Sequence, residues 1–240
     1  MSEPVDKALQ VVPVITIDGP GGAGKGTVAK RVATALGWHL LDSGMIYRLL
    51  ALASINHQVA ADNEQSLVLL AVSLDVRFVA NDDSEGVRAW LEGVDVTDAV
   101  RSEDVGLVAS KVAALAKVRS ALLARQRAFA EPPGLVADGR DMGTIVFRDA
   151  PLKVYLTASV EARAERRYKQ LLAKGQSGSL ARLAEAIAAR DRSDMERPVA
   201  PLKPAPDAFY IDSTDMSIDA VCAAILERAS ERKLVDRKAE

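Results

Sequence analysis

An α/β fold, built on a mostly parallel, doubly wound central sheet flanked by helices, is what the 240-residue chain predicts. Three observations carry that expectation. Short β-branched runs alternate with helical patterns, one such run leads at once into a glycine-rich turn and a helix, and the length suits one large domain with a full core. Five runs read as the strands of a five-stranded sheet: VPVITID ending at Asp18, WHLLD ending at Asp42, LVAD before Gly139, LKVYLTA around Val154 and AFYIDS around Ile211. KGTVAKRVATALG reads as an amphipathic helix closed by Gly37, and a second helix is expected from about Ser43 to Ala53.

The middle of the chain departs from that alternation. LDVRFVA and VRAWLEG, separated by the polar NDDSEG, predict an antiparallel hairpin, which cannot belong to a parallel sheet joined by helical crossovers. Residues 75–100 are therefore expected to form a small inserted antiparallel β subdomain. Two alanine-rich helices, over about 103–116 and 118–130, follow it and end before Pro132 and Pro133. Further on, VEARAERRYKQLLAKG and LARLAEAIAARDRSD predict a helical hairpin around GQSGS, dense in arginine on its first arm.

Composition narrows the function. Hydrophobic residues at 49% and charged residues at 27% suit a packed domain rather than a disordered chain. A net charge of −2 argues against a nucleic-acid partner held by overall charge, and 4% aromatics argue against a base-stacking platform. The single cysteine, Cys222, can form neither an internal disulfide nor a cysteine zinc cluster, and its apolar surroundings predict a buried, inert thiol. No apolar run has membrane-spanning length and MSEPVDKALQ has no signal-peptide core, so a cytoplasmic protein is expected. His39, in a strand, and His57, at a helix end, are expected to be structural.

The most informative segment follows the first strand. Gly19, Pro20, Gly21, Gly22, Ala23, Gly24 and Lys25 fit G-x-x-x-x-G-K, directly after a strand and before a helix. Glycines let the backbone turn tightly, so that several N–H groups point inward at phosphate oxygens. The helix N-terminus adds partial positive charge, and Lys25 adds a full one able to bridge β- and γ-phosphates. The general pattern places Ser or Thr right after the lysine, whereas here Gly26 precedes Thr27. That shift leaves open whether Thr27 meets Mg²⁺ directly or through water.

Phosphoryl transfer needs a second anion cradle, and arginine suits it because its planar fork pairs with two phosphate oxygens. Arg48 and Arg140 stand just after predicted strands, where open α/β sheets bind ligands. Arg119, Arg163, Arg166, Arg167, Arg190, Arg192 and Arg197 lie on or beside predicted helices, and any one alone reads more readily as a solvated surface cation or helix-dipole partner. Together, GPGGAGKGTVAKRVA, LLDSGMIYRLLAL, LDVRFV, VADGRDMGTIVF and RDRSDMERPVAPLKPA resemble the bacterial cytidylate kinases, within the nucleoside monophosphate kinases, over about residues 14–225. Gly21 stands where relatives often carry serine.

The resemblance implies a single P-loop kinase domain over 1–240. Its core would take up about 12–72, 103–160 and 205–235, with a monophosphate-binding insertion at 73–102 and a helical lid at 161–195. It implies reversible transfer of the γ-phosphoryl group of ATP to CMP or dCMP, with Mg²⁺. By the same resemblance Ser43 and Tyr47 line the CMP site, and Arg48, Arg140 and Arg197 grip its phosphate. Ser110, Arg119 and Asp141 face the cytosine edge, and Arg190 and Asp194 hold the sugar hydroxyls. Lys25, Arg140 and Arg167 are the expected catalytic charges, and the hairpin carrying Arg163, Arg166 and Arg167 closes over ATP. The expected partners are these small molecules, with no nucleic acid and no membrane, and the expected state is a monomer. Residue chemistry alone leaves two alternatives open: another acceptor such as UMP or AMP, or a nucleotide-dependent switch or nucleic-acid-dependent ATPase. The latter expects Ser or Thr directly after the lysine.

Overall fold

A computed structural model describes residues 12–80, 87–173 and 175–235. Strand β1 (Val14–Asp18) is buried at all five positions, as befits a strand covered on both faces. Helix α1 (Lys25–Leu36) follows and ends at Gly37, which is left-handed at φ 65° and returns its N–H to the last turn. Strand β2 (His39–Asp42) leads into α2 (Ser43–Asn56), whose first turn is capped by the Asp42 carboxylate accepting from Met45 N at 3.0 Å. This helix runs one turn beyond its expected end.

Helix α3 (Glu64–Ser73) was not expected from the sequence. Its Asn63 cap, accepting from Ser66 N, is an ordinary start signal, but the apolar residues that follow fall on all sides and hide the helical period. Leu69 and Val72 consequently face outward. The inserted sheet is antiparallel as predicted, with β3 (Val76–Ala80) paired to β4 (Val87–Leu91). A third, two-residue strand, β5 (Val94–Asp95), is added through a turn at Glu92 and Gly93, both with positive φ. The expected NDDSEG connection lies outside the described residues.

The two alanine-rich helices are shorter than predicted: α4 (Glu103–Val112) and α5 (Ala116–Arg127). Strand β6 (Leu135–Gly139) then returns to the main sheet, and Met142–Val146 forms a single wide π-type turn not expected from the residue pattern. After it come β7 (Leu152–Thr157), the hairpin α6 (Val160–Ala173) and α7 (Leu180–Glu196), β8 (Phe209–Asp212) and α8 (Ile218–Glu231).

Five strands form one parallel sheet in the order β2-β6-β1-β7-β8. Two apolar clusters cover it. One packs α1 and α8 against β1, β7 and β8 through Ile15, Ile17, Val28, Val154 and Ile225. The other packs α2, α4 and α5 through Ile46, Leu49, Leu50, Val112 and Leu122. Each fully buried aliphatic side chain contributes about 1.5–3 kcal/mol, so these clusters fix the strand ends rigidly. Cys222 is buried in the first cluster, and each histidine hydrogen-bonds a neighbouring segment: His39 to the Pro132 carbonyl and His57 to Glu92. The connection after β1 crosses β6 to β2 on one side, and that after β6 crosses β1 to β7 on the other. Their carboxyl ends therefore border the crevice where such sheets bind ligands.

Candidate active site

That crevice holds an open cleft. Lys25 enters it from the first turn of α1, Ser43, Tyr47 and Arg48 from α2, and Ser110 from α4. Arg119 comes from α5, Arg140 and Asp141 from the end of β6, and Arg190, Asp194 and Arg197 from α7 and its end. All ten residues assigned by resemblance to the monophosphate site share these walls. Asp42 and Asp138 share them too, and the sequence reading had missed both. Asp138 ends the LVAD run and was open to the same strand-end argument that singled out Arg140.

The glycine-rich segment joins β1 to α1, with Gly22 at φ 79° and Gly24 at φ 90°. These backbone angles turn N–H groups inward and are reached by glycine without strain. Lys25 Nζ donates to the Pro20 carbonyl at 2.9 Å and lies 3.9 Å from Asp138 Oδ1. Burial pushes Lys25 down to about 8 and Asp138 up to about 7, each against the attraction of the other. Thr27 is exposed on the first turn of α1. Among the described residues no three His, Cys, Asp or Glu gather as a metal-binding group.

The rest of the cleft wall is organised by ion pairs. Arg119 pairs with Asp141, both buried, and lies over the Tyr47 ring with its guanidinium carbon 5.6 Å from the centroid. Arg119 Nη1 also donates to Ala113 O at 3.1 Å. Burial pushes the Asp141 carboxyl up, while Arg119 pulls it down. Arg140 pairs with Asp194; burial disfavours its charge, but Asp194 and its neighbours hold the guanidinium above its ordinary value. Arg48 Nη1 donates to the carbonyls of Val100 and Ser102, both at 3.0 Å, tying α2 to the segment that follows the inserted sheet. Arg197 donates through Nε to Ala200 O at 2.5 Å, and its buried Nη2 has no hydrogen-bond partner among the described residues. Burial lowers the pKa of Arg48, Arg190 and Arg197. A group that accepts hydrogen bonds and carries negative charge would relieve all three.

The hairpin arginines divide into three cases. Arg163 is buried, pairs with Asp191 through two nitrogens at 3.0 and 2.5 Å, and donates to Gly21 O at 3.0 Å. It ties the hairpin base to the phosphate loop and has little freedom to reach a nucleotide. Arg166 is bonded to the Ser213 and Thr214 carbonyls. Arg167 is exposed on α6, with no ion pair among the described residues, and does not line the cleft. Arg192 is exposed and also stands outside the cleft.

A family model described as cytidylate kinase matches residues 15–231. A cytidylate kinase from Pseudomonas paraeruginosa is 61% identical over 221 residues, covering 92% of this chain and 96% of that one. Another, from Stutzerimonas stutzeri, is 59% identical and covers 94% and 99%. A solved shikimate kinase from Acinetobacter baumannii is similar at 20% identity and a TM-score of 0.41, covering 95% of this chain and 99% of that one. On the family match and these two relatives, the chain belongs to the cytidylate kinase family.

Proposed function

We propose that this cleft passes the γ-phosphoryl group of ATP to CMP or dCMP, yielding ADP and CDP or dCDP. The observation that carries the reading is a single cleft in which Lys25 faces five arginines and two arginine-paired aspartates. The segment from Gly19 to Thr27 takes the ATP phosphates on backbone N–H groups, with Lys25 beside the β- and γ-phosphates. Arg48, Arg140 and Arg197 take the CMP phosphate. One of its oxygens attacks the γ-phosphorus as the bond to the β–γ bridging oxygen breaks. The attacking group is already anionic, so alignment and charge neutralisation suffice without a strong base.

Cytosine presents an amine donor beside ring acceptors, and Asp141 and Arg119 offer the complementary acceptor and donors. Uracil reverses the first pairing and leaves buried polar groups unmatched, which discriminates by about 10⁴-fold in a dry site. Arg190 and Asp194 read the sugar, so nucleotide entry exchanges the Arg140–Asp194 pair for contacts with substrate. Mg²⁺ would be held mainly by water and nucleotide oxygens, with Thr27 and Asp138 as the side chains that would hold its water shell. When bound, the ion would neutralise charge on the β- and γ-phosphates. Closure of the α6–α7 hairpin brings Arg167 toward the transferring group and excludes water.

No relative reported above favours UMP as acceptor, and Gly26 after the lysine disfavours the switch and ATPase alternatives. A coupled ADP assay with CMP, dCMP, UMP and AMP tests the proposal. Fast turnover of the first two and slow turnover of the others is expected. ADP release that needs RNA and ignores CMP would overturn it.

A further inference from the structure

Strands β1 and β6 run side by side, with Asp18 in register with Gly139. One residue beyond Asp18 the phosphate loop begins, and one residue beyond Gly139 stand Arg140 and Asp141. The Asp18 side chain joins these two ends. It is buried and lines no part of the cleft. Its two oxygens are used separately: Oδ1 accepts from Met142 N at 2.8 Å and Oδ2 from Gly143 N at 2.8 Å.

Those N–H groups open the π-type turn Met142–Val146, where the preceding Asp141 makes no side-chain cap because its carboxylate is turned to Arg119. Asp18 thus does the work of an N-cap from 124 residues away, and leaves Asp141 free to face the cleft. The close approach depends on Gly143. A Cβ there would stand 2.8 Å from Thr16 Oγ1 and 3.2 Å from the Lys153 side chain.

We infer that Asp18 is a positioning residue for the acceptor nucleotide: its two-pronged grip on Met142 and Gly143 aims Arg140 and Asp141 and fixes them relative to the phosphate loop. The inference rests on the acceptor roles proposed for those two residues. The phosphate loop is held by its own glycines, by Lys25 on the Pro20 carbonyl and by Arg163 on the Gly21 carbonyl, none of which uses the Asp18 carboxylate, so loss of the grip acts mainly on one substrate.

Asp18→Asn tests this. The amide keeps the shape but offers one acceptor, and its NH₂ confronts a backbone N–H. The expected result is a rise in KM for CMP of about tenfold or more, the worth of one hydrogen bond to a charged group. KM for ATP stays within about threefold, because the phosphate loop makes no use of this grip. Gly143→Ala attacks the same contact from the other side and should give the same split. Combined, the two changes should cost less than the sum of their separate effects, because they break one contact. The inference is overturned if both KM values rise together, if neither moves while only the melting temperature falls, or if the effects add. Failure of both variants to fold also overturns it, since the grip would then hold the fold rather than the site. If the wild-type protein does not phosphorylate CMP, the proposed function fails first, and independently of Asp18.

Discussion

The two halves of the cleft are built on opposite plans. The donor half is one continuous segment, Gly19 to Thr27, that offers backbone N–H groups and one lysine. The acceptor half gathers side chains from α2, α4, α5, the end of β6 and α7, and two of its arginines are already paired with aspartates. Backbone amides recognise a phosphate chain whatever base it carries, so a short local motif is enough. Side-chain pairs with directional donors and acceptors can tell one base from another, but only if distant segments are held in fixed register. Generic anion binding is therefore cheap in sequence, and specificity needs the whole fold.

The largest expected effect breaks the acceptor half at its base-reading pair. Asp141→Ala removes the acceptor for the cytosine amine and should cut the preference for CMP over UMP, as kcat/KM ratios, by about 10³-fold. Because Arg119 is buried, removing its partner also destabilises the fold, by about 3–5 kcal/mol for a fully broken buried pair. Asp141→Asn keeps the shape and a carbonyl acceptor, and should show the same loss in weaker form with less destabilisation. An unchanged CMP-over-UMP ratio in both variants would mean that the pair does not read the base.

The donor half should respond differently. Lys25→Met is expected to lower kcat by about 10²–10³-fold for CMP and dCMP alike, since it removes charge stabilisation and leaves base reading intact. Thermal unfolding should stay close to wild type. Burial already works against the Lys25 ammonium, and Asp138, raised to about 7, can take a proton once its partner is gone. A near-normal rate, or a change in the CMP-over-UMP ratio, would erase the contrast between the halves.

That contrast also explains what the sequence could and could not show. The five strands, α1 and the phosphate loop were legible because each is a local pattern: β-branched runs, a 3.6-residue period, and glycines before a lysine. Cys222 was legible as a buried thiol for the same reason. That the residues assigned to the acceptor share one cleft was legible only through resemblance, because nothing near Ser110 or Arg190 in the chain indicates that α4 and α7 meet there. Helix α3 was hidden by apolar residues on every side, and the turn Met142–Val146 by a cap supplied from Asp18. Arg163 shows the converse. The sequence places it only among the arginines of the hairpin and does not separate their roles, whereas its pairing with Asp191, 28 residues away, commits it to holding the hairpin base.

The smallest effect concerns protons. The acceptor cations are guanidiniums, which stay charged at any working pH. The donor half relies on an ammonium that burial lowers to about 8, beside a carboxyl raised to about 7. In the free protein at pH 8, Lys25 is therefore part neutral and Asp138 largely ionised. An arriving diphosphate favours the protonated form of both. Binding of metal-free ADP at pH 8 should therefore take up protons, up to about one per site, read by calorimetry in buffers of different ionisation enthalpy. Binding of CMP at the same pH, directed to the guanidinium side, should take up far fewer. Equal uptake for the two nucleotides would show that the halves share one proton reservoir, and release on ADP binding would reverse the direction assigned to Lys25.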